Sequence, residues 1–373
     1  MVSSACTQNV KNKISIGTID TVISKKLNEK RKIWIHVPDS DPDAVYGKHR
    51  YPVVYLLDGD AHFYSVMGMI QQLSEVNGNT VCPQMIVVGI PNTDRTRDLT
   101  PTHVSGGPYM DSISSRSSGG GENFAAFLEK ELIPYIDSTY PTAPYRMLIG
   151  HSFGGLTAVN ILINHPGLFN SYVAIDPSLW WDNQKLLKQA GKVLSTNNYK
   201  GKALFVGVAN TMKPGMDTAH VKKDSSEATL HIRSILEFTS LLKKSAADNL
   251  RSDFKYYNED DHGSVPLITE YDAVRFIFKN YKLPSFQNLL DNSFNADSAI
   301  TVHFKNISAE MGYEILPPEN LVNQLGYTFM QNKMPEKAYA FFMKNIQNYP
   351  QSFNVYDSMG DFYESKGDKA KAI

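Results

Sequence analysis

This sequence predicts an α/β protein, with a mostly parallel central sheet, helices on both faces, and an all-α repeat-like region at its C-terminal end. Three observations predict it. From about residue 14 to residue 283, short β-branched and aliphatic runs alternate with amphipathic stretches of helical length, the pattern of strands joined by crossover helices. One junction, Tyr145 to Pro166, reads as strand, glycine turn and helix in immediate succession. Beyond Leu283 the strand-like runs stop, and Leu325-Gly326-Tyr327 returns as Met359-Gly360-Asp361, thirty-four positions later.

Taken in order, Ile14 to Ile23 and Arg31 to Val37 read as two strands, the second alternating through Ile33, Ile35 and Val37. A polar loop, Asp39 to Arg50, leads to the apolar run Tyr51 to Leu57, which ends in Asp58-Gly59-Asp60. A helix over Phe63 to Leu73 and a strand over Met85 to Ile90 come next. Asn92 to Gly121 is a long Ser-, Gly- and Thr-rich loop, a length more common in functional lids than in plain connections. An amphipathic helix, Glu122 to Ile136, precedes the glycine-turn strand Met147 to Ile149. Strands follow at Tyr172 to Ile175, Ala203 to Val208 and Phe254 to Tyr257, with helices over Glu227 to Lys244 and Tyr271 to Phe278. The expected division is an α/β unit over 1–283 and a helical unit over 284–373. Lys337-Ala338 also recurs as Lys371-Ala372, and the shared period is that of tetratricopeptide repeats.

Composition excludes several function classes. Lys and Arg number 37 against 38 Asp and Glu, for a formal charge of −1. The basic residues are scattered, so the sequence carries no electrostatic footprint for nucleic acid. No apolar run reaches the roughly 18 residues of a membrane span. The two cysteines, Cys6 and Cys82, form no disulfide framework or zinc spacing, and the histidines make no paired metal motif. No cofactor or metal is therefore expected. Ser4-Ala5-Cys6 faintly resembles the end of a lipoprotein signal without its apolar core. That leaves a cytoplasmic location, or a periplasmic or exported one if a leader has been trimmed. Lys369 to Ile373 reads as a helical pattern with no stop signal, as in a chain cut short.

The chemistry is read from Gly150-His151-Ser152-Phe153-Gly154. Set between a buried strand and an apolar helix, G-x-S-x-G is a nucleophile elbow: the turn strains the serine outward, and the glycines relieve strand–helix crowding. Ser152 is the expected nucleophile. A serine hydroxyl needs a base, and His262, in the loop after the last strand, fits it. The acid that orients the imidazole has two candidates, Asp176 at the end of the Tyr172–Ile175 strand and Asp217 after the next. The oxyanion needs two backbone donors, assigned to the amides of Phe153 and Asp60.

Taken together, YLLDGDAHF, RTRDLTP, GHSFGGL, DPSLWWD and DHGSVP, in that order, resemble the putative-esterase family of α/β hydrolases, which includes ferric enterobactin esterase and the trilactone siderophore hydrolases. The resemblance covers roughly residues 14 to 283. It implies an α/β-hydrolase fold, with Ser152 and His262 as nucleophile and base of a carboxylic-ester hydrolase. Asp176 departs from the serine common at that place in the siderophore branch, as does the helical extension. Trp180, Trp181, Arg95 and Arg97 are candidates for the substrate pocket, indoles facing lactone or aromatic groups and guanidinium facing oxygens. The expected partner is a small-molecule ester, with a protein partner on the helical repeats as a second expectation. The competing readings are an acyltransferase using the same acyl-enzyme, and a partner-binding scaffold.

Overall fold

A computed structural model describes residues 14–38, 49–244, 249–283, 288–291 and 293–373. The expectations placed on Ser4 to Cys6, on most of the Asp39–Arg50 loop and on the division after residue 283 lie outside the described residues.

Each apolar run becomes a strand: β1 Thr18–Ser24, β2 Glu29–His36, β3 Tyr51–Leu57, β4 Ile86–Ile90, β5 Thr142–His151, β6 Ser171–Ile175, β7 Lys202–Ala209 and β8 Leu250–Tyr257. They form one eight-stranded sheet in the order β1-β2-β4-β3-β5-β6-β7-β8. β1 pairs antiparallel with β2, and β2 antiparallel with β4; every other pairing is parallel. β3 and β6 are buried along their whole length and β5 from Met147 to Gly150, as strands covered on both faces must be.

The helices are α1 Gly59–Ser74, α2 Arg95–Leu99, α3 Ser112–Ser115, α4 Gly121–Phe127, α5 Ile133–Thr139, α6 Phe153–Asn164, α7 Trp181–Val193, α8 Thr218–Val221, α9 Leu230–Lys244 and α10 Val265–Ile277. A π-helical turn, Leu128–Leu132, joins α4 to α5. The side-chain period of two along a strand divides the core between the faces. Val53, Tyr55, Leu57 and Leu148 face the layer built from α4 to α7 and α9. Val54, Leu56, Met147 and Ile149 face α1 and α10.

Four helices close the chain: α11 Ala296–Met311, α12 Glu319–Gln331, α13 Pro335–Asn348 and α14 Phe353–Ser365. Gly326 lets α12 and α13 approach closely, since a Cβ there would lie 2.6 Å from the Phe342 ring. The Tyr327 hydroxyl donates to Asp361 at 2.6 Å, so residues one period apart meet directly. Lys369 to Lys371 form a turn, not the helix read from the sequence. Asp368 accepts the amides of Lys371 and Ala372 there, so a local turn replaces the helical ladder.

Candidate active site

Ser152 sits between β5 and α6 with φ 60° and ψ −112°, a conformation an L-residue holds only when its surroundings impose it. The surroundings here are glycines. A Cβ on Gly150 would lie 2.3 Å from the Gly154 carbonyl oxygen, and one on Gly155 3.0 Å from that of Ile175. The Ser152 amide donates to Ile175 O at 2.9 Å, and its carbonyl accepts from Ser178 N at 3.1 Å. Its Oγ lies 3.2 Å from Ser178 Oγ; a Ser152–His262 hydrogen bond is not formed among the described residues. Ser178 carried no signal in the sequence beyond following Asp176-Pro177.

Asp176 follows β6 with φ 41° and is wholly buried. Its Oδ1 accepts the Ala209 amide at 3.0 Å. Its Oδ2 meets His262 Nδ1 at 2.6 Å and His231 Nε2 at 2.7 Å. Burial alone would raise this carboxyl, but the hydrogen bonds from His231 and His262 outweigh it and hold the group well below the usual carboxylate range. Asp217, the other candidate acid, is exposed and capped into its own helix. It accepts the amides of Ala219 and His220 at 2.8 Å each and pairs with the His220 ring. The structure brings Asp176 to His262 and leaves Asp217 at the surface.

His262 rides on the loop after β8. Asp261 Oδ1 ties that loop by accepting the amides of Gly263 and Ser264, and Asn210 N donates to Asp260 O at 2.7 Å. The ring packs 4.5 Å from that of His151, the residue before Ser152. Burial, with the His262 and His62 imidazoles adding to it, pushes His151 down to about 4, so this neighbour is neutral at physiological pH.

The oxyanion candidates lie in the first turns of two helices, Phe153 opening α6 and Asp60 second in α1. First-turn amides have no intrahelical acceptor. Arg95 ties these two turns together: it donates through Nε and Nη2 to Asp58 Oδ1 and Oδ2 at 2.6 and 3.0 Å, and to His151 O at 3.1 Å. Its guanidinium also lies 5.4 Å from the Phe153 ring centroid.

The pocket candidates Arg97 and Trp181 both have partners within the fold. Arg97 is bound to Asp98 of its own loop at 2.7 Å and to Glu29 of β2 at 3.0 Å, beside the buried Arg31–Asp98 pair. Trp181 is buried against Phe153, its indole N–H donating to Thr102 O at 3.1 Å. Trp180 is also buried, with Tyr109 4.8 Å from it and itself 42% exposed.

His231, on α9, was missed by the sequence reading. Nothing in its local pattern separates it from a polar position on an amphipathic helix, since its partner lies 55 residues away. Asp176, His231 and His262 also hold ligand-type atoms within 4.8 Å of one another, a grouping the histidine spacing did not disclose. Oxygen–nitrogen separations of 2.6 and 2.7 Å are those of hydrogen bonds. Ligands about a tetrahedral zinc, with bonds near ~2.0–2.1 Å, stand further apart.

Comparison with known proteins places this arrangement in context. The model of a family described as Putative esterase matches residues 24–247. The chain is 28% identical over 267 residues to the ferri-bacillibactin esterase BesA of Bacillus subtilis, spanning 68% of this chain and 86% of that protein. Against the siderophore enterobactin esterase of Emericella nidulans it is 30% identical over 164 residues, 41% of this chain and 52% of that one. A crystal structure of an IroE-like serine hydrolase from Shewanella oneidensis superposes with a TM-score of 0.74 at 30% identity. It covers 89% of this chain and 99% of its own, an extent that reaches into the C-terminal helices.

Proposed function

Because the chain belongs to the putative esterase family, we propose that it is a carboxylic-ester hydrolase that cleaves a siderophore-type ester through an acyl-enzyme on Ser152. The observation that carries this reading is the 2.6 Å hydrogen bond from His262 Nδ1 to the buried Asp176, beside a serine held at positive φ. With its Nδ1 proton committed to Asp176, His262 presents an unprotonated Nε2 as the base.

In the first half-reaction Ser152 Oγ attacks the ester carbonyl carbon while its proton passes to His262 Nε2. The tetrahedral oxyanion is held by the amides of Phe153 and Asp60, fixed donors that need no reorganisation. The C–O bond to the alcohol breaks, and Nε2 returns the proton to the departing oxygen. Water then loses a proton to Nε2 and attacks the acyl carbon, and Oγ leaves with that proton. Ser178 holds Oγ in the resting enzyme. Catalytic hydrogen bonds often tighten only when substrate is bound, so rotation of Oγ toward His262 is expected on binding.

The siderophore class rests on the relatives named as siderophore esterases. Residues 14–283 supply every group in this scheme, and the repeat-like helices stand outside it. A fluorophosphonate probe tests the reading: Ser152 should carry the label, and Ser152→Ala should lose both label and ester hydrolysis. Hydrolysis of a trilactone siderophore, compared with short-chain activated esters, tests the class. Label on another residue, or full hydrolysis by Ser152→Ala, would overturn the mechanism.

A further inference from the structure

Asp176 receives two imidazoles. We propose that His231 is a positioning residue for the reaction: by donating from Nε2 to the oxygen that also holds His262, it fixes the carboxylate and divides its charge between two rings. The inference rests on the catalytic reading of Ser152, His262 and Asp176 given above.

The geometry is specific. A carboxylate oxygen has two lone-pair directions, and Asp176 Oδ2 accepts His262 Nδ1 at 2.6 Å and His231 Nε2 at 2.7 Å. The two rings stand at 87° to each other with centroids 5.2 Å apart, so they converge on the oxygen without stacking. For both to donate, His262 carries its proton on Nδ1 and His231 on Nε2. Oδ1 is taken by the Ala209 amide. Both oxygens are thereby tied, and rotation of the carboxylate about its Cβ–Cγ bond is closed.

The two donors come from unequal supports. The His262 side chain is 42% exposed, on a loop, whereas that of His231 is 12% exposed. His231 lies on α9, whose Ile232, Ile235 and Phe238 are fully buried. The His231 amide also donates to the Tyr109 hydroxyl at 3.2 Å, and that hydroxyl donates to Glu227 O. The buried His231 ring therefore sets the carboxylate, and the carboxylate sets the more exposed His262 ring. Without His231, Asp176 would give its undivided charge to His262, stabilising the imidazolium and holding its proton to higher pH, while leaving the ring less well aimed.

The other titratable groups facing His262 are His151 at the end of β5 and Asp261 on its own loop, with His62, Asp58 and Arg95 behind His151. None changes in the variants that test the idea, His231→Gln and His231→Asn. A glutamine amide can reach Oδ2 and donate; the shorter asparagine cannot. For His231→Asn the acid limb of kcat/KM on a p-nitrophenyl ester should move up by about one pH unit, the scale of one charge-assisted hydrogen bond. Its plateau should fall about ten-fold from misaimed geometry. His231→Gln should restore most of the plateau. Two variants with native-like circular dichroism but wild-type acid limbs would overturn the proposal, as would a glutamine variant no better than the asparagine one. Phosphonylation of Ser152 in the wild type tests the catalytic reading alone, so failure of that reading is separately visible.

Discussion

At the scale of single residues, the candidate site depends on charges placed where burial would otherwise forbid them. Asp176 is fully buried, yet three donors hold it ionised. Asp176→Asn should keep the shape but remove the charge that stabilises imidazolium, lowering kcat by up to about ten-thousand-fold. Asp217→Asn should cost under about ten-fold, since an exposed cap acts only on its own short helix. Kinetics of both variants at one pH near ~8, above the histidine range, check this, and a reversed order would transfer the acid to Asp217. Glu270 presents the opposite case. It is fully buried on α10, neither carboxylate oxygen has a protein partner, and burial pushes it up to about 8. A carboxyl raised on folding favours the folded state below its unfolded value near 4.5. That contribution declines as pH rises and is gone once pH passes about 8. Glu270→Gln, which does not titrate, should therefore gain thermal stability over wild type when melting is measured at about pH 9, and gain less at about pH 5. An equal difference at both pH values would mean that Glu270 is ionised in the folded protein.

At the scale of elements, what could be read in the sequence was whatever short-range pattern controls. The eight apolar runs are the eight strands: β3, β4 and β6 are continuous because both faces are covered, whereas β2 alternates with one face buried. Boundaries were less legible where polarity interrupts a ladder. β5 begins at Thr142, not Met147, although Pro144 and Arg146 break its apolar run. β8 begins at Leu250 because an edge strand tolerates polar residues: Asp253 and Lys255 are exposed, and Arg251 donates to Phe276 O and Ile277 O. The elbow was legible because steric need dictates glycine there. His231 was not, because the α9–Asp176 contact is made only by the finished tertiary structure. The Arg97–Glu29 pair was equally hidden, since Glu29 comes from β2, 68 residues away. Two glycines make the steric argument testable. Gly150→Ala places a Cβ 2.3 Å from the Gly154 carbonyl oxygen and should destabilise by about 2–4 kcal/mol while lowering Ser152 labelling. Gly68→Ala, inside α1 with nothing within 4 Å, should stabilise by about 0.4–1 kcal/mol. Denaturant melts of the two variants should move in opposite directions.

At the scale of the whole molecule, the last four helices share a core with the sheet. One apolar cluster runs from Val54 and Leu56 of β3, through Tyr145 of β5 and Phe278, to Ile307 and Met311 of α11 and on to Phe342 and Phe362. Tyr145, Arg251, Phe278, Tyr281, Ile307 and Met311 enclose a small gap at that seam. Asn280 Nδ2 donates to Glu310 at 2.5 Å, and His303 meets Tyr281 O at 3.2 Å across it. The seam meets β5 near its beginning, whereas Ser152 follows its carboxyl end. Loss of the seam should therefore be felt as stability and not as chemistry. Ile307→Ala removes a buried side chain from the contact and should cost about 2–4 kcal/mol, less if the seam collapses into the space. Ending the chain near residue 290 should lower the melting temperature further, by exposing the apolar face that α11 covers. In both cases the folded fraction, counted by fluorophosphonate titration of Ser152, should hydrolyse small activated esters within about three-fold of wild type, because the aim of His262 is set on the far side of the sheet's length. A titrated, folded protein whose turnover per labelled serine fell a hundred-fold would show instead that the helices shape the site, and the catalytic unit would then extend through α14.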